Sequence, residues 1–288
     1  MEVHTTIAEF RGALDRERDA GRRVGLVPTM GYLHDGHLSL MRAAGQQCDV
    51  VAATIFVNPL QFGANEDLAD YPRDFDRDLS LCESVGVTHV FAPSADEMYP
   101  GPMVTAVTVD ALASTMEGVA RPTHFAGVTT VVAKLFNIAG PCAAYFGEKD
   151  YQQLAIVRRM VDDLNIAVEV VGCPIVREVD GVAMSSRNVY LTREQREAAP
   201  ILHRALQAGV ASVVAGERDA DRVRRLMTEI VQAEPLAELD YAEVVDAHSL
   251  DPSAHLAAGD EVRLLVAARL GTPRLLDNLG VRIPEDAE

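Results

Sequence analysis

Apolar residues in the first half of this chain come in short runs that alternate with amphipathic stretches. Thr5 to Ala20 predicts an opening helix and Arg23 to Pro28 a short strand. His37 to Gln47 carries Leu38, Leu40, Met41 and Ala44 at helical spacing. Val50 to Val57 is a continuous apolar run that ends at Asn58-Pro59, as a buried strand would. Asp74 to Val85 predicts a helix with Leu79, Leu81 and Val85 inward, and Val87 to Ala92 a strand after Gly86. Val104 to Val109 is strand-like, and Gly127 to Ile138 has the length of a helix. Ala143 to Phe146 is a strand, Tyr151 to Leu164 a helix and Ile166 to Val171 a further strand. Short apolar strands separated by helices predict an α/β fold, with a mostly parallel sheet covered on both faces.

The pattern changes near Arg177, which divides residues 1–176 from residues 177–288. Thr192 to Ala215 reads as one long helix, in which Thr192 and Gln195 could form a capping box and Pro200 sits early enough either to be tolerated in the first turns or to cause a bend. Asp219 to Ala233 is a second helix, and Asp240 to Val245, Val262 to Ala268 and Arg274 to Leu279 are strands. Two helices followed by three strands make a small α+β domain.

Composition narrows the class. Of 288 residues, 48% are hydrophobic and 24% charged, the balance of an ordinary globular chain. The formal net charge of -17 argues against non-specific contact with nucleic acid or an anionic membrane, so no nucleic-acid or membrane partner is expected. Cys48, Cys82, Cys142 and Cys173 form no C-x-x-C pair and read as buried thiols. MEVHTTIAEF lacks the basic and apolar regions of a signal peptide, so a cytoplasmic protein is expected.

The candidate chemistry sits where predicted strands end. Pro28-Thr29-Met30-Gly31-Tyr32-Leu33-His34-Asp35-Gly36-His37 runs from a strand into a helix. In a parallel sheet that is a ligand position, and a helix start offers N–H donors and positive potential to phosphate. His34 and His37 add imidazole donors for a triphosphate. They also suit local turn hydrogen bonds, or a metal site that lacks a nearby third ligand. The run is neither G-x-G-x-x-G nor a P-loop. Gln61 follows the next strand as a neutral grip for a hydroxyl or carboxylate. Gly147-Glu148-Lys149-Asp150 again lies between strand and helix, with Lys149 suited to phosphate, Asp150 to ribose hydroxyls and Gln153 one turn further on. Met184-Ser185-Ser186-Arg187 offers two hydroxyls and a guanidinium on a junction loop able to close over phosphate. Arg121 and His124 are weaker candidates. Asp74, Asp76 and Asp78 read as a solvated helix start, and no metal ligand is assigned.

Taken together, PTMGYLHDGH, IFVNPLQF, RPTHFAGV, YFGEKDYQQ, REVDGVAMSSRN and LLVAARLGTPRLLDN closely resemble the pantoate–β-alanine ligases. The blocks extend from residue 28 to residue 278, and His34-Asp35-Gly36-His37 also resembles the H-x-G-H signature of the wider nucleotidyltransferases. The resemblance implies a Rossmann-like catalytic domain over 1–176, a C-terminal α+β lid over 177–288 and a homodimer. It implies Mg²⁺ and ATP, and two steps: pantoate becomes pantoyl adenylate with release of pyrophosphate, and β-alanine then displaces AMP to give pantothenate. It places Met30, Gly31, Tyr32, Leu33, His34, Asp35, Gly36, His37, Gly147, Glu148, Lys149, Asp150, Val176, Met184, Ser185, Ser186 and Arg187 at the nucleotide. Of these, His37, His34, Lys149 and Arg187 are the expected catalytic residues, with His37 the assigned acid group, and Gln61 and Gln153 would hold pantoate. An adenylyltransferase for another small acceptor and a non-enzymatic ATP-binding protein are the competing readings.

Overall fold

The computed structural model describes residues 1–63 and 68–285. Its strands are β1 (Glu2–His4), β2 (Val24–Thr29), β3 (Val50–Ile55), β4 (His89–Phe91), β5 (Cys142–Gly147), β6 (Val168–Cys173), β7 (Ala237–Asp246), β8 (Glu261–Leu270) and β9 (Arg274–Arg282). The first six form one parallel sheet in the order β1-β4-β3-β2-β5-β6. The last three form an antiparallel sheet, β7-β8-β9. This is a Rossmann-like sheet with a smaller C-terminal sheet.

Side chains alternate across each strand, so neighbouring residues serve opposite layers. Val24, Leu26, Val50, Ala52, Ala144 and Phe146 face one core. Phe10 and Leu14 of the helix Ile7–Asp19, Val128 and Val132 of the helix His124–Ala139, and Leu154 and Val157 of the helix Tyr151–Leu164 fill it. Val27, Val51, Ala53, Ala143 and Tyr145 face the other core, with Leu38, Met41 and Ala44 of the helix Asp35–Gln47. Each large apolar side chain removed from water contributes about 1.5–3 kcal/mol, so both layers are needed to hold the sheet.

Strand order has one consequence for function. The chain leaves β2 toward β3 on one side, and leaves β5 toward β6 on the other. Adjacent β2 and β5 therefore mark the topological switch point, the position at which open parallel sheets bind ligands beyond the strand ends. Their ladder covers only Gly25↔Ala143 and Leu26↔Ala144, whereas β2 stays paired with β3 to Thr29↔Ile55. Pro28, which has no N–H to give, lies beyond the last β2–β5 pair.

The chain divides into two compact units: Met1–Glu148 with Gln152–Pro174, and Lys149–Tyr151 with Ile175–Glu288. In the second, the helices Ile201–Val214 and Ala220–Gln232 share a core with the antiparallel sheet through Leu206, Val213, Val223, Met227, Val244, Leu264 and Val266. Among the described residues, no helix is long and apolar enough to cross a membrane.

Three expectations need correction. Val104 to Val109 forms no strand. Its backbone bonds instead to helix threonines: the Val107 N–H donates to Thr130 Oγ1 at 3.0 Å, and the Val107 carbonyl accepts from Thr129 Oγ1 at 2.5 Å. The single helix from Thr192 to Ala215 is two helices, Arg193–Ala198 and Ile201–Val214, divided at Ala199-Pro200, while the Thr192–Gln195 capping box is present. The Asp74 to Val85 segment, helical over Phe75–Ser84, buries Asp78 and Cys82, whereas Leu79, Leu81 and Val85 are only half-buried.

Candidate active site

The turn after β2 is built by hydrogen bonds from outside it. Thr29 Oγ1 donates to the Thr54 carbonyl at 2.5 Å and accepts the Gly31 N–H at 3.2 Å. Gly31 takes φ 83° and Tyr32 φ 48°, both left-handed. A Cβ on Gly31 would lie 3.0 Å from Asp78 Oδ2 and 3.1 Å from Ile55 Cγ2, so glycine is required by conformation and by space. Asp78 then secures the turn: its two oxygens accept the N–H groups of Tyr32 and Leu33, each at 2.7 Å. Asp78 is 1% exposed, and that burial pushes its carboxyl above the usual range, against the pull of the two N–H donors. The Arg77 guanidinium lies 5.4 Å from the Tyr32 ring centre. Asp78 is thus a structural post of the turn, where a solvated helix start was expected.

His34 and His37 start the helix Asp35–Gln47 as a reciprocal cap. His34 Nδ1 accepts the Gly36 N–H at 3.1 Å, and His37 Nδ1 accepts the His34 N–H at 3.4 Å. Imidazoles thereby occupy the places that Ser/Thr and Glu/Gln hold in an ordinary capping box. An accepting Nδ1 carries no proton, which puts the ring proton on Nε2 in each residue. The ring centres are 4.1 Å apart. Of the readings left open by the sequence, the local turn bonds are thus made by the δ nitrogens.

Gln61 lies in the 3-10 turn Pro59–Gln61, after β3. It is 9% exposed, and its Nε2 sits 3.0 Å from Met30 Sδ, which joins this turn to the one after β2. Asn58 locks the turn: its Nδ2 donates to Gln61 Oε1 at 3.2 Å and to the Gly127 carbonyl at 3.1 Å, and its Oδ1 accepts from Tyr99 Oη at 2.7 Å. His124 Nδ1 and Arg121 Nη2 both donate to the Gln61 carbonyl, at 3.0 and 3.3 Å. Gly127 allows this approach, because a Cβ there would lie 2.2 Å from the Leu60 carbonyl oxygen. Arg121 and His124 are therefore positioned on backbone.

Adjacent glutamines differ in use. Gln152 is buried, and its amide bonds the Glu117 N–H and the carbonyls of Leu112 and Thr115 at 2.8–3.0 Å. The half-buried Gln153 side chain makes no hydrogen bond among the described residues. Gly147 ends β5, and Glu148–Asp150 form a 3-10 turn.

The second unit carries the rest. Lys149 Nζ pairs with Asp150 Oδ1 at 3.4 Å, and the Lys149 carbonyl accepts from Asn278 Nδ2 at 2.8 Å. The Met184 N–H bonds the Val176 carbonyl at 3.0 Å, closing a hairpin with an Arg177↔Ala183 bridge. Ser185 caps the 3-10 helix Ser186–Tyr190 by accepting the Arg187 N–H at 3.3 Å. The hairpin is stapled twice. Arg177 makes a two-pronged pair with buried Asp277 at 2.6 and 2.9 Å, and Arg196 spans Glu178 and Asp180 at 2.6–3.1 Å. Both staples tie the hairpin to residues of its own unit.

Within the first unit, then, Met30 to His37 and Gln61 come together at the strand ends, with Gly147 at the end of neighbouring β5, Glu148 in the 3-10 turn after it and Gln153 on the following helix. Lys149, Asp150, Val176, Met184, Ser185, Ser186 and Arg187 belong to the second unit. Sequence reasoning missed Asp78, Asn58 and Tyr99. Only Asn58 carried a signal, as the residue before Pro59 at a helical start.

Residues 2–280 match the Pantoate-beta-alanine ligase family. The chain is 53% identical over 283 residues to pantothenate synthetase of Heliobacterium modesticaldum, covering 98% of this chain and 100% of that protein. It is 54% identical over 278 residues to the Sinorhizobium medicae pantothenate synthetase, covering 96% and 95%. A crystal structure of pantothenate synthetase from Thermus thermophilus superposes with a TM-score of 0.91 at 49% identity, over 97% of this chain and 99% of that one. The Francisella tularensis pantoate-beta-alanine ligase, complexed with beta-gamma ATP and beta-alanine, gives a TM-score of 0.80 at 31% identity, over 97% of each chain.

Proposed function

The chain belongs to the pantoate–β-alanine ligase family, and from that premise we infer how its residues divide the work. It is an ATP-dependent ligase that joins pantoate and β-alanine to give pantothenate. The reading proposed here is AMP-forming. A pantoate carboxylate oxygen attacks the α-phosphorus, the bond to the β-phosphate bridging oxygen breaks, and pyrophosphate leaves. The β-alanine amine then attacks the acyl carbon, the acyl–O bond breaks, AMP leaves and the amine gives up a proton. Adenylation is needed because a free carboxylate has oxide as its leaving group.

The observation that carries this reading is the reciprocal histidine cap at the switch point. It orients two imidazoles by their δ nitrogens, so the ε N–H groups of His34 and His37 meet charge that grows on the leaving pyrophosphate. The helix start supplies further N–H donors. In the second unit, Lys149, Ser185, Ser186 and Arg187 have the chemistry to bind phosphate, and Asp150 to bind ribose hydroxyls. Gln61 and Gln153 grip pantoate without a cationic clamp, which leaves its carboxylate nucleophilic. Water must be kept from the mixed anhydride.

Magnesium enters on the triphosphate, as part of the substrate. This cation takes most of its ligands from phosphate and water. Among the described residues, the nucleotide segments gather no trio of His, Cys, Asp or Glu that would form a resident cage. A homodimer and a cytoplasmic setting complete the reading, the latter fitting four free cysteines.

Mass spectrometry of products, with each substrate omitted in turn, tests it. Pyrophosphate release with ATP, Mg²⁺ and pantoate alone is expected, and AMP and pantothenate only when β-alanine is added. ADP and phosphate as products would overturn the adenylate route.

A further inference from the structure

A second cluster of ligand side chains lies away from the nucleotide segments, on the β1 edge of the parallel sheet. Glu2 and His4 alternate along β1 and so share one face. Parallel pairing sets His89 of β4 directly beside Glu2. The helix Ile7–Asp19 crosses the same face, with Phe10 against the His4 ring and Glu17 beside His89. Both histidines are buried, while the Glu2 side chain is 65% exposed.

Three atoms define a small triangle. His4 Nε2 and His89 Nδ1 are 3.1 Å apart, and Glu2 Oε2 is 3.7 Å from the first and 3.8 Å from the second. Zinc bonded to imidazole nitrogen and carboxylate oxygen at about 2.0–2.2 Å in a tetrahedron holds its ligand atoms about 3.3–3.5 Å apart. The triangle already has that size, with one edge short and two long. The outer shell is present too. The other ring nitrogen of His89, Nε2, lies 3.4 Å from Glu17 Oε1, so the N–H that remains when Nδ1 binds an ion has a carboxylate to meet. That is the carboxylate–histidine–metal arrangement that orients a ligand ring. Arg22 in turn holds the second Glu17 oxygen at 2.5 Å.

We propose that Glu2, His4 and His89 bind a divalent transition-metal ion, best matched by zinc, with Glu17 as the outer partner of His89. Two neutral nitrogens and one carboxylate suit a borderline cation, whereas magnesium and calcium prefer oxygen. Three protein ligands leave a fourth position for water on the exposed Glu2 side. In the ion's absence a hydrogen bond between the two rings spans the gap.

The test uses the untagged full chain, freed of metal with a chelator and titrated with cobalt(II) chloride without nucleotide. Cobalt should bind at one equivalent per chain with the intense visible bands of four-coordinate Co²⁺, and zinc should displace it. Glu2→Gln, at an exposed position that spares the core, should weaken binding tenfold or more. Glu17→Gln should weaken it by about 10–100-fold through loss of the outer partner. His4→Ala should abolish the bands, with circular dichroism confirming the fold, and a variant carrying both His34→Ala and His37→Ala should keep them. Weak six-coordinate bands, binding indifferent to Glu2→Gln, or loss of the bands with the His34 and His37 changes would each overturn the site.

Discussion

Asp78 accepts the backbone N–H of Leu33 at 2.7 Å, across 45 residues of sequence. Its other oxygen does the same for Tyr32, so one buried carboxylate fixes two successive N–H groups of the turn after β2. Asp78→Asn keeps one acceptor and turns an amide N–H toward a backbone N–H. Leaving a buried donor unmet costs about 1–3 kcal/mol. The variant should unfold at lower urea and release pyrophosphate more slowly, with the ATP dependence affected more than the pantoate dependence. A wild-type urea midpoint would remove Asp78 from this role.

The histidine cap allows structure and chemistry to be separated. His37→Ala and His34→Ala each remove a cap bond, worth about 1 kcal/mol, together with an imidazole. Gln serves naturally at the third helical position and Asn at the cap itself. His37→Gln and His34→Asn should therefore recover most of the lost thermal stability and little of the adenylation rate. Recovery of both together would reduce the imidazoles to caps.

What could be read from the chain follows the range of the interactions. The helix Tyr151–Leu164 and the strands of the sheet centre show their identity in local periodicity, because each buries a face of its own. Pro200 was visible as a bend, but whether a helix bends or divides depends on the packing of Ala198, Ala199 and Ile201 in the second unit's core. The strand-like Val104 to Val109 run lacked a partner strand, and two helix threonines took its backbone instead. At the candidate site, the strand-to-helix position of the glycine–histidine run was legible, since apolar periodicity marks both the strand before it and the helix after it. Asp78 was not: an aspartate in an acidic first turn looks like a solvated face, and its partners are remote in sequence.

The stapled hairpin should respond to acid. Arg196 bonds both Asp180 oxygens and holds its carboxyl below the usual aspartate range, helped by the Val182 N–H. A carboxyl with a depressed folded pKa adds stability above its unfolded pKa and loses it as pH falls through the folded one. Exchange of the Met184 amide, which bonds the Val176 carbonyl, should accelerate in that acid window in the wild type. Asp180→Asn should show faster exchange already at neutral pH and a flatter response to acid. Identical profiles would mean that the Arg196 staple does not hold the hairpin.

Gln152 and Gln153 offer the sharpest contrast, since the same substitution one residue apart should do different things. The Gln152 amide satisfies Glu117 N–H, Leu112 carbonyl and Thr115 carbonyl, so Gln152→Ala strips three partners from the 110–120 segment. It should lower the melting temperature by several degrees, as expected for a loss of about 1–3 kcal/mol, and affect all substrates together. Gln153 makes no hydrogen bond among the described residues, so Gln153→Ala should leave the melting temperature within a degree or two of wild type. Its effect should fall on pantoate: a KM for pantoate raised tenfold or more with the KM for ATP little changed, the pattern of a lost substrate contact. Steady-state kinetics with each substrate varied in turn, beside thermal melts, distinguish the two. If Gln153→Ala raised both KM values equally, or lowered stability as Gln152→Ala does, the pantoate grip would have to be sought elsewhere around the β2 and β5 strand ends.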